Sequence, residues 1–520
     1  MMASQPADNE GLASATVPGI VEDPRRLRLI LITVSLALMM VISSVSGLNV
    51  ALPDLAKTTG ATQSELQWIV DAYTVALAGL LFISGAIGDR FGRRRLLISG
   101  LVLFGTLAAV AFFVTEPTTL IYLRAGMGVG AAAVMPTTLS IITTSFPEER
   151  RPHAVGIWVG VAGAGAVLGL VMSGLLLEFF SWSSFFALNV VLAVLALIGT
   201  VAVIPNSVDD EPPALDAIGA ALSFLAVAAL VFGIIEGPVA GWGSTEVIAA
   251  LTIGVLSMVL FLWWEARNDA PLLDPRLFRL RGFSTGSASL MLQFFAAFGF
   301  FFTIIQYLQI VIGFSPLQAS LSILPMAIVT LPLARVAPVI AARVGYNKVG
   351  SLGLLCLGTG LLLMSFLSTD FNYWRFLAGL LVFGAGMALA GAPATAAITA
   401  SLPRQKQGVA SAMNDTSREF GSALGIAVLG SVLNNIYRSD VSQYDGNLPQ
   451  QARDAIESSV AAAAGIAEQF GPQGAQLLSA ANEAFVAGAS GALRVGAFFA
   501  ILGAIFVFVR APRRNPTVNE

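Results

Sequence analysis

The sequence predicts an all-α polytopic membrane protein of fourteen transmembrane spans, and three observations predict it. Hydrophobic residues fill 56% of the 520 positions, above the roughly 45–50% of an ordinary soluble globule. Charged residues are only 11%, and they gather in short turns. Between those turns lie apolar runs of the ~20 residues that a helix needs to cross the hydrocarbon core of a bilayer. A mean hydropathy of +0.80 agrees.

Taken in order, residues 1–28 come first. Residues 1–23 are polar and mildly acidic, without the basic start and short apolar core of a signal peptide; they read as a disordered cytoplasmic tail. Six apolar runs follow, at 29–52, 66–87, 96–114, 118–142, 154–180 and 184–204, and make an N-terminal six-helix bundle over 29–204. Two more, at 214–235 and 247–264, form an inserted pair within 205–282. The last six, at 283–312, 317–341, 349–367, 373–402, 409–436 and 487–509, make a C-terminal six-helix bundle over 283–510, ahead of a tail at 511–520.

A weak internal repeat sets this division. Ala342-Arg343-Val344-Gly345 follows the tenth run as Asp89-Arg90-Phe91-Gly92 follows the second. Paired repeats of this kind flank a midplane site in secondary transporters. The only sizeable loop, 437–485, is rich in Ala, Gln, Gly and Ser. It reads as a solvated extracytoplasmic spacer in which 449–464 can form a short helix; the alternative is a lid or partner surface.

Orientation follows from loop charge. An even number of spans puts both ends of the chain on one side, and that side collects Arg25, Arg26, Arg28, the 85–97 turn, Arg150, Arg151, Arg404, Lys406 and Arg510. The opposite loops keep only Lys57, Arg438 and Arg453. The positive-inside rule makes the arginine-rich side cytoplasmic, with the protein in the plasma (inner) membrane and both termini inside. The net charge of −3 says little, because orientation depends on which loops carry Lys and Arg.

Several function classes drop out. The single cysteine, Cys356, and the single histidine, His153, leave no thiol site and no histidine-rich metal cluster. There is no phosphate-binding glycine loop and no nucleophile with a partner histidine. No catalytic residue, metal ligand, cofactor or nucleic-acid partner is expected, and neither is an enzyme or an ATP-driven pump.

The chain is organised around Gly85 to Leu97, GAIGDRFGRRRLL. Five ionisable residues (Asp89, Arg90, Arg93, Arg94 and Arg95) cannot sit in hydrocarbon, where each costs several kcal/mol; the stretch must be a turn at the membrane surface. Gly85, Gly88 and Gly92 allow close backbone approach, and Asp89 can pair within the turn or with a neighbouring helix end. G-x-x-x-D-R-x-G-R-R after the second span resembles the signature loop of the major facilitator superfamily. The resemblance implies the major facilitator fold and a gating role at the cytoplasmic face for Gly85, Asp89, Arg90, Gly92 and Arg93.

Ionisable groups within spans are functional candidates, because they are costly unless they face a cavity or a partner. Asp71, in the second span, can exchange a proton or attract a cation; it can equally be a wetted carboxylate near the outer helix end, where Trp68 and Tyr73 would form an interfacial belt. Arg124 stays charged when buried and needs a carboxylate, carbonyl or water. Its setting, L-x-x-x-R-x-x-x-G-x-G-A-A from Leu120, resembles the fourth-span motif of the superfamily, which implies a part in proton coupling.

The fifth span resembles the antiporter motif, but the Gly-Pro-x-x-Gly-Gly core stands here as Gly169-Leu170-Val171-Met172-Ser173-Gly174. In the first span, Ser44-Val45-Ser46 replaces the Asp-x-Thr usual in related fourteen-span exporters, ahead of Asn49 to Pro53. Ser44 can hydrogen-bond but cannot carry a proton's charge.

The thirteenth span holds the densest polar group, Asn414, Asp415, Arg418 and Glu419, spaced so that the last three share a helix face. The run closely resembles that of multidrug exporters of the quaternary-ammonium type. The alternative makes Arg418 and Glu419 a wetted first turn at the cytoplasmic end. In the ninth span, Gln293, Gln306 and Gln309 stand among six phenylalanines, and Gln306 and Gln309 are the expected cavity residues; Ser44, Asn49, Trp68, Tyr73 and Asn414 complete the candidate lining.

Together these features identify the chain as a member of the fourteen-span drug:proton antiporter branch of the superfamily. The implied activity is alternating-access export of amphipathic, often cationic, compounds in exchange for protons, by a monomer in the lipid bilayer. The altered first and fifth spans leave open a dedicated exporter of an endogenous lipid or metabolite.

Overall fold

The computed structural model describes residues 20–59, 61, 63–205, 216–268, 271–366, 368–442, 456, 457, 460, 463, 467 and 471–513. Hydrocarbon offers no partner to a bare amide, so each apolar run closes its hydrogen bonds internally and becomes a helix. The helices are α1 (Pro24–Thr59), α2 (Gln63–Phe91), α3 (Arg93–Ala111), α4 (Pro117–Ser145), α5 (Arg151–Phe179), α6 (Ser184–Val203), α7 (Ala217–Ala240) and α8 (Thr245–Glu265). They continue as α9 (Arg281–Gln306), α10 (Pro316–Ile323), α11 (Pro325–Val344), α12 (Tyr346–Met364), α13 (Tyr373–Ala400), α14 (Gln407–Val441) and α15 (Gly471–Arg510).

Thirteen spans among the described residues are long and apolar enough to cross a membrane, with α10 and α11 counted together. Helix α5, of 29 residues, stands where the fifth span is expected. The 19 residues of α3 already reach about 28 Å, close to the ~30 Å hydrocarbon thickness.

Local chemistry fixes the ends and breaks. Glu116 caps α4, its carboxylate accepting from the Thr118 and Thr119 amides at 3.1 and 2.5 Å. Those two bonds hold the exposed carboxyl below the usual carboxylate range. Ser315 and Gln318 form a reciprocal capping box at α10. The expected tenth span is split at Leu324, and Pro325 opens α11 because a proline lacks the amide that would continue the preceding helix. Gly92 joins α2 to α3 at φ 104° and Gly345 joins α11 to α12 at φ 108°. The two turns of the sequence repeat therefore share one left-handed backbone form that favours glycine.

One apolar core lies within α1–α6 and another within α9–α15, and a third joins α2, α7, α8, α9 and the ends of α12–α15. Between the two groups, α2 and α4 pack on α14, and α5 packs on α11 and α13. Helix α7 lies along the α2/α14 seam. There Trp68 stacks on Phe232 at 5.5 Å, and Ile234 packs against Ala423 and Ala427. Outward faces such as Val191, Ile198, Leu256 and Val259 are exposed and apolar, as a lipid-facing surface requires.

Two expectations are corrected. Helix reaches into both ends of the 437–485 loop, since α14 runs to Val441 and α15 starts at Gly471. Within it Ile456, Val460, Ala463 and Ala467 are buried against the C-terminal core, and the Tyr437 hydroxyl donates to the Ile456 carbonyl at 2.8 Å. Apolar residues at three- and four-residue spacing bury a face, so this part is packed rather than a solvated spacer; most of 449–464 lies outside the described residues. At the other end, Val21 is buried and its amide donates to the Ser145 carbonyl at 2.9 Å. The chain thus docks on the end of α4 and is helical from Pro24, ahead of the expected start at 29; residues 1–19 lie outside the described residues.

Candidate functional site

At the arginine-rich end of the interface, the Asp89 carboxylate makes both kinds of contact open to it. It accepts from Arg93 Nη2 at 2.5 Å and from the Gly408 amide at 2.9 and 3.2 Å. Gly408 is in the first turn of α14, where unpaired amides and the helix dipole favour a negative charge. Arg93 Nε in turn donates to Ser140 Oγ on α4 at 2.6 Å. Helices α2 and α14 can come this close because both are glycine there: a Cβ on Gly85 would stand 2.7 Å from the Gly408 carbonyl. Arg90 lies 5.6 Å from the Phe91 ring, and Gly92 supplies the turn.

Deeper in the N-terminal group, Arg124 is fully buried and held by oxygens that are not acidic. Its Nε donates to the Ile69 carbonyl at 2.9 Å, Nη1 to Ser44 Oγ at 2.8 Å and Nη2 to the Ser44 carbonyl at 3.2 Å. The guanidinium stacks 4.3 Å from the Tyr73 ring centroid, and the Tyr73 hydroxyl donates to the Val41 carbonyl at 3.1 Å. Each of the three guanidinium nitrogens is hydrogen-bonded and one face carries a ring.

On α14, Asp415 is fully buried and Arg418 is 4% exposed. Thr395 Oγ1 donates to Asn414 Oδ1 at 2.8 Å, and Asn414 Nδ2 donates to Asp415 Oδ1 at 3.0 Å. Arg418 Nη1 stands 3.6 Å from the same Asp415 oxygen, too far for a hydrogen bond. Instead the guanidinium lies 5.3 Å from the Trp158 ring and 4.6 Å from the Phe294 ring. Asp415 Oδ2 and Arg418 Nε and Nη1 have no hydrogen-bond partner.

Arg418, Trp158 and Phe294 line a cavity between α5 and the C-terminal group, shared with Gln293 on α9, Thr330 on α11 and Met387 on α13. Its volume of about 10 Å³ holds no more than a water molecule. Trp158 is fixed from behind, its Nε1 donating to Thr138 Oγ1 at 3.1 Å. Glu419 is half-buried and interacts electrostatically with Arg418 and Asp415, and with Tyr73 across the interface.

Several expected site residues lie elsewhere. Arg418 is not a wetted first-turn residue: α14 starts at Gln407, which puts Arg418 three turns in. Tyr73 and Ser44 are buried around Arg124 rather than in an interfacial belt or on a cavity wall. Trp68 is taken up by Phe232. Gln306 donates to its own helix at Phe302 and Gln309 sits in a π-turn over Tyr307–Val311; the glutamine that faces the cavity is Gln293, one face round α9. Asp71 is half-buried on α2 and apart from the cavity lining, and the Asn49 side chain lies outside the described residues. Trp158 had one signal in sequence, as the lone bulky side chain near the start of the small-residue ladder of α5. Arg335 Nε donates to His153 Nε2 at 2.7 Å across the α5/α11 contact. Among the described residues no group of three or more acidic, histidine or cysteine side chains is placed to hold a metal.

The Major Facilitator Superfamily profile matches residues 34–426. The chain is 33% identical over 494 residues to the multidrug efflux pump LfrA of Mycolicibacterium smegmatis, covering 95% of this chain and 98% of that protein. It is 32% identical over 478 residues to the methyl viologen resistance protein SmvA of Salmonella typhimurium, covering 90% and 95%. Of solved structures, the human organic anion transporter MFSD10 shares the fold with a TM-score of 0.59 at 17% identity, covering 92% of this chain and all of that one.

Proposed function

The chain belongs to the major facilitator superfamily and is a multi-pass membrane transporter rather than an enzyme, and from this premise we propose that it exports amphipathic, often cationic, drug-like molecules in exchange for protons by alternating access. The efflux and resistance proteins that it resembles along nearly its whole length support the export direction. The observation that carries the exchange is Asp415, wholly buried 3.6 Å from the Arg418 that lines the aromatic cavity, with one carboxylate oxygen unpartnered.

A carboxylate at membrane depth must be compensated. A proton and a substrate cation can each do so, and they exclude one another, which is the condition for exchange. No cofactor is needed, because the proton gradient supplies the energy. Arg124 couples this site to the N-terminal half through Tyr73, and Asp71 is a second proton or cation site on the same half. The Asp89 latch gates the cytoplasmic end while the two six-helix bundles rock about the cavity, with α7 and α8 as an inserted pair along one seam. Both termini are then cytoplasmic, and the working unit is a monomer.

The test is uptake of a fluorescent lipophilic cation by proteoliposomes under an imposed pH gradient, for the parent, Asp71→Asn and Asp415→Asn. Gradient-driven accumulation that is lost in Asp415→Asn supports the exchange. A parent without gradient dependence sinks it.

A further inference from the structure

The two buried arginines are held in opposite ways. Arg124 has three hydrogen bonds and a ring against its face. Arg418 has two rings, the Asp415 carboxylate beyond hydrogen-bond reach, the Glu419 carboxylate acting only electrostatically, and two nitrogens with no hydrogen-bond partner. A guanidinium out of water and short of hydrogen bonds is weakly held, so the first is a fixture and the second can be dislodged.

Arg418 also sits where a ligand would. An aromatic slot that ends on a carboxylate is how proteins bind organic cations. Trp158 and Phe294 are such a slot, Asp415 is its carboxylate, and the charge now in it belongs to the protein. The free space left is water-sized because the side chain fills the site.

Resting on the export reading above, we propose that Arg418 is a tethered stand-in for the substrate: a lipophilic cation displaces its guanidinium from between Trp158 and Phe294 and takes Asp415 as counter-ion. After the substrate leaves, a proton takes its place on Asp415, and once that proton is released the arginine returns as the counter-ion of the carboxylate. The empty carrier thus never buries an uncompensated charge, and the preferred substrate is a delocalised cation with a flat or aromatic surround.

The test compares tetraphenylphosphonium with tetraphenylborate, of the same shape and opposite charge, in titrations of the full-length protein in nanodiscs. Removing the competitor should tighten cation binding by about tenfold in both Arg418→Gln and Arg418→Met, while Asp415→Asn weakens it by about as much and the borate binds none of them. Weaker phosphonium binding by both Arg418 variants, each eluting like the parent on size exclusion, overturns the proposal. So does borate binding by the parent that is lost in those variants. Gradient-driven phosphonium uptake by the parent separates the two levels: with uptake present and no gain in affinity in the variants, the stand-in falls alone, and with neither uptake nor binding the cation-export reading falls with it.

Discussion

The carboxylate of Asp89 receives the backbone amide of Gly408, 319 residues further along the chain, at 2.9 Å. The contact joins the last turn of α2 to the first turn of α14. It uses an interaction that any anion makes with a helix N-terminus, so its strength depends on charge and on close approach rather than on a partner side chain. Any motion that separates these helix ends must break it.

Replacing that charge should loosen this end of the molecule. Asp89→Asn keeps the shape, removes the anion and takes the ionic partner from Arg93, whose Nε still donates to Ser140. An anion at a helix N-terminus is worth about 0.5–2 kcal/mol, so the equilibrium should move about 2- to 30-fold towards the open end. Spin labels at the exposed positions Phe91 and Gln405 should show a larger population at long distance. An unchanged distance distribution would count against the latch.

Arg124 should tolerate no substitute. Lysine offers a point charge instead of a planar fork and cannot serve the Ile69 carbonyl and both Ser44 oxygens together. Each buried acceptor left unpaired costs about 1–3 kcal/mol. Arg124→Lys should therefore lower the melting temperature and reduce transport at least about tenfold, with Ser44→Ala giving a smaller loss of the same kind. Parent-like melting and uptake in Arg124→Lys would show that the three bonds do not matter.

Close packing around this arginine can be tested from the side. A Cβ on Gly128 would run into the Tyr73 carbonyl and stand 2.9 Å from Ala76 Cβ. Gly128→Val should cost about 1–3 kcal/mol or more through overpacking, and it should shift Tyr73 off Arg124. Gly174→Ala, with open space around its added carbon, is the matched control and should melt like the parent.

The single histidine should make the α5/α11 contact weaken in acid. His153, in the first turn of α5 just outside the apolar stretch, accepts from Arg335 through Nε2, so it must be neutral there. Burial, and then the Arg335 charge, hold its imidazole below the ordinary value of about 6.5. A folded-state value below the unfolded one means that this contribution is present above about pH 6.5 and is lost as the pH falls through the folded value. Melting curves from pH 8 to 5 should show a decline that is shallower in His153→Gln, which keeps an acceptor and does not titrate. Identical pH profiles would remove His153 from the contact.

The spans, the charged turn at Asp89 and the buried arginine of α4 were legible because each is a property of neighbouring residues. A helix must be apolar for its whole crossing, and five ionisable residues in one turn cannot be. Gly92 and Gly345 were legible as a repeat for the same local reason.

What the chain alone left open is the direction each side chain faces. A helix turns about 100° per residue, so Gln293 faces the cavity and Gln306 bonds its own helix, although both belong to one phenylalanine-rich span. Rotation and depth are set by packing between segments hundreds of residues apart. That packing put Arg418 against Trp158 and Phe294 instead of in water, and of the carboxylate, carbonyl or water that could serve Arg124 it supplied the oxygens of Ile69 and Ser44. The sequence by itself determined that this is a membrane protein of the superfamily and which residues carry charge into it; only the tertiary structure decided which of those charges are hydrogen-bonded and which is left short of partners, because satisfaction depends on partners that only long-range packing brings within reach.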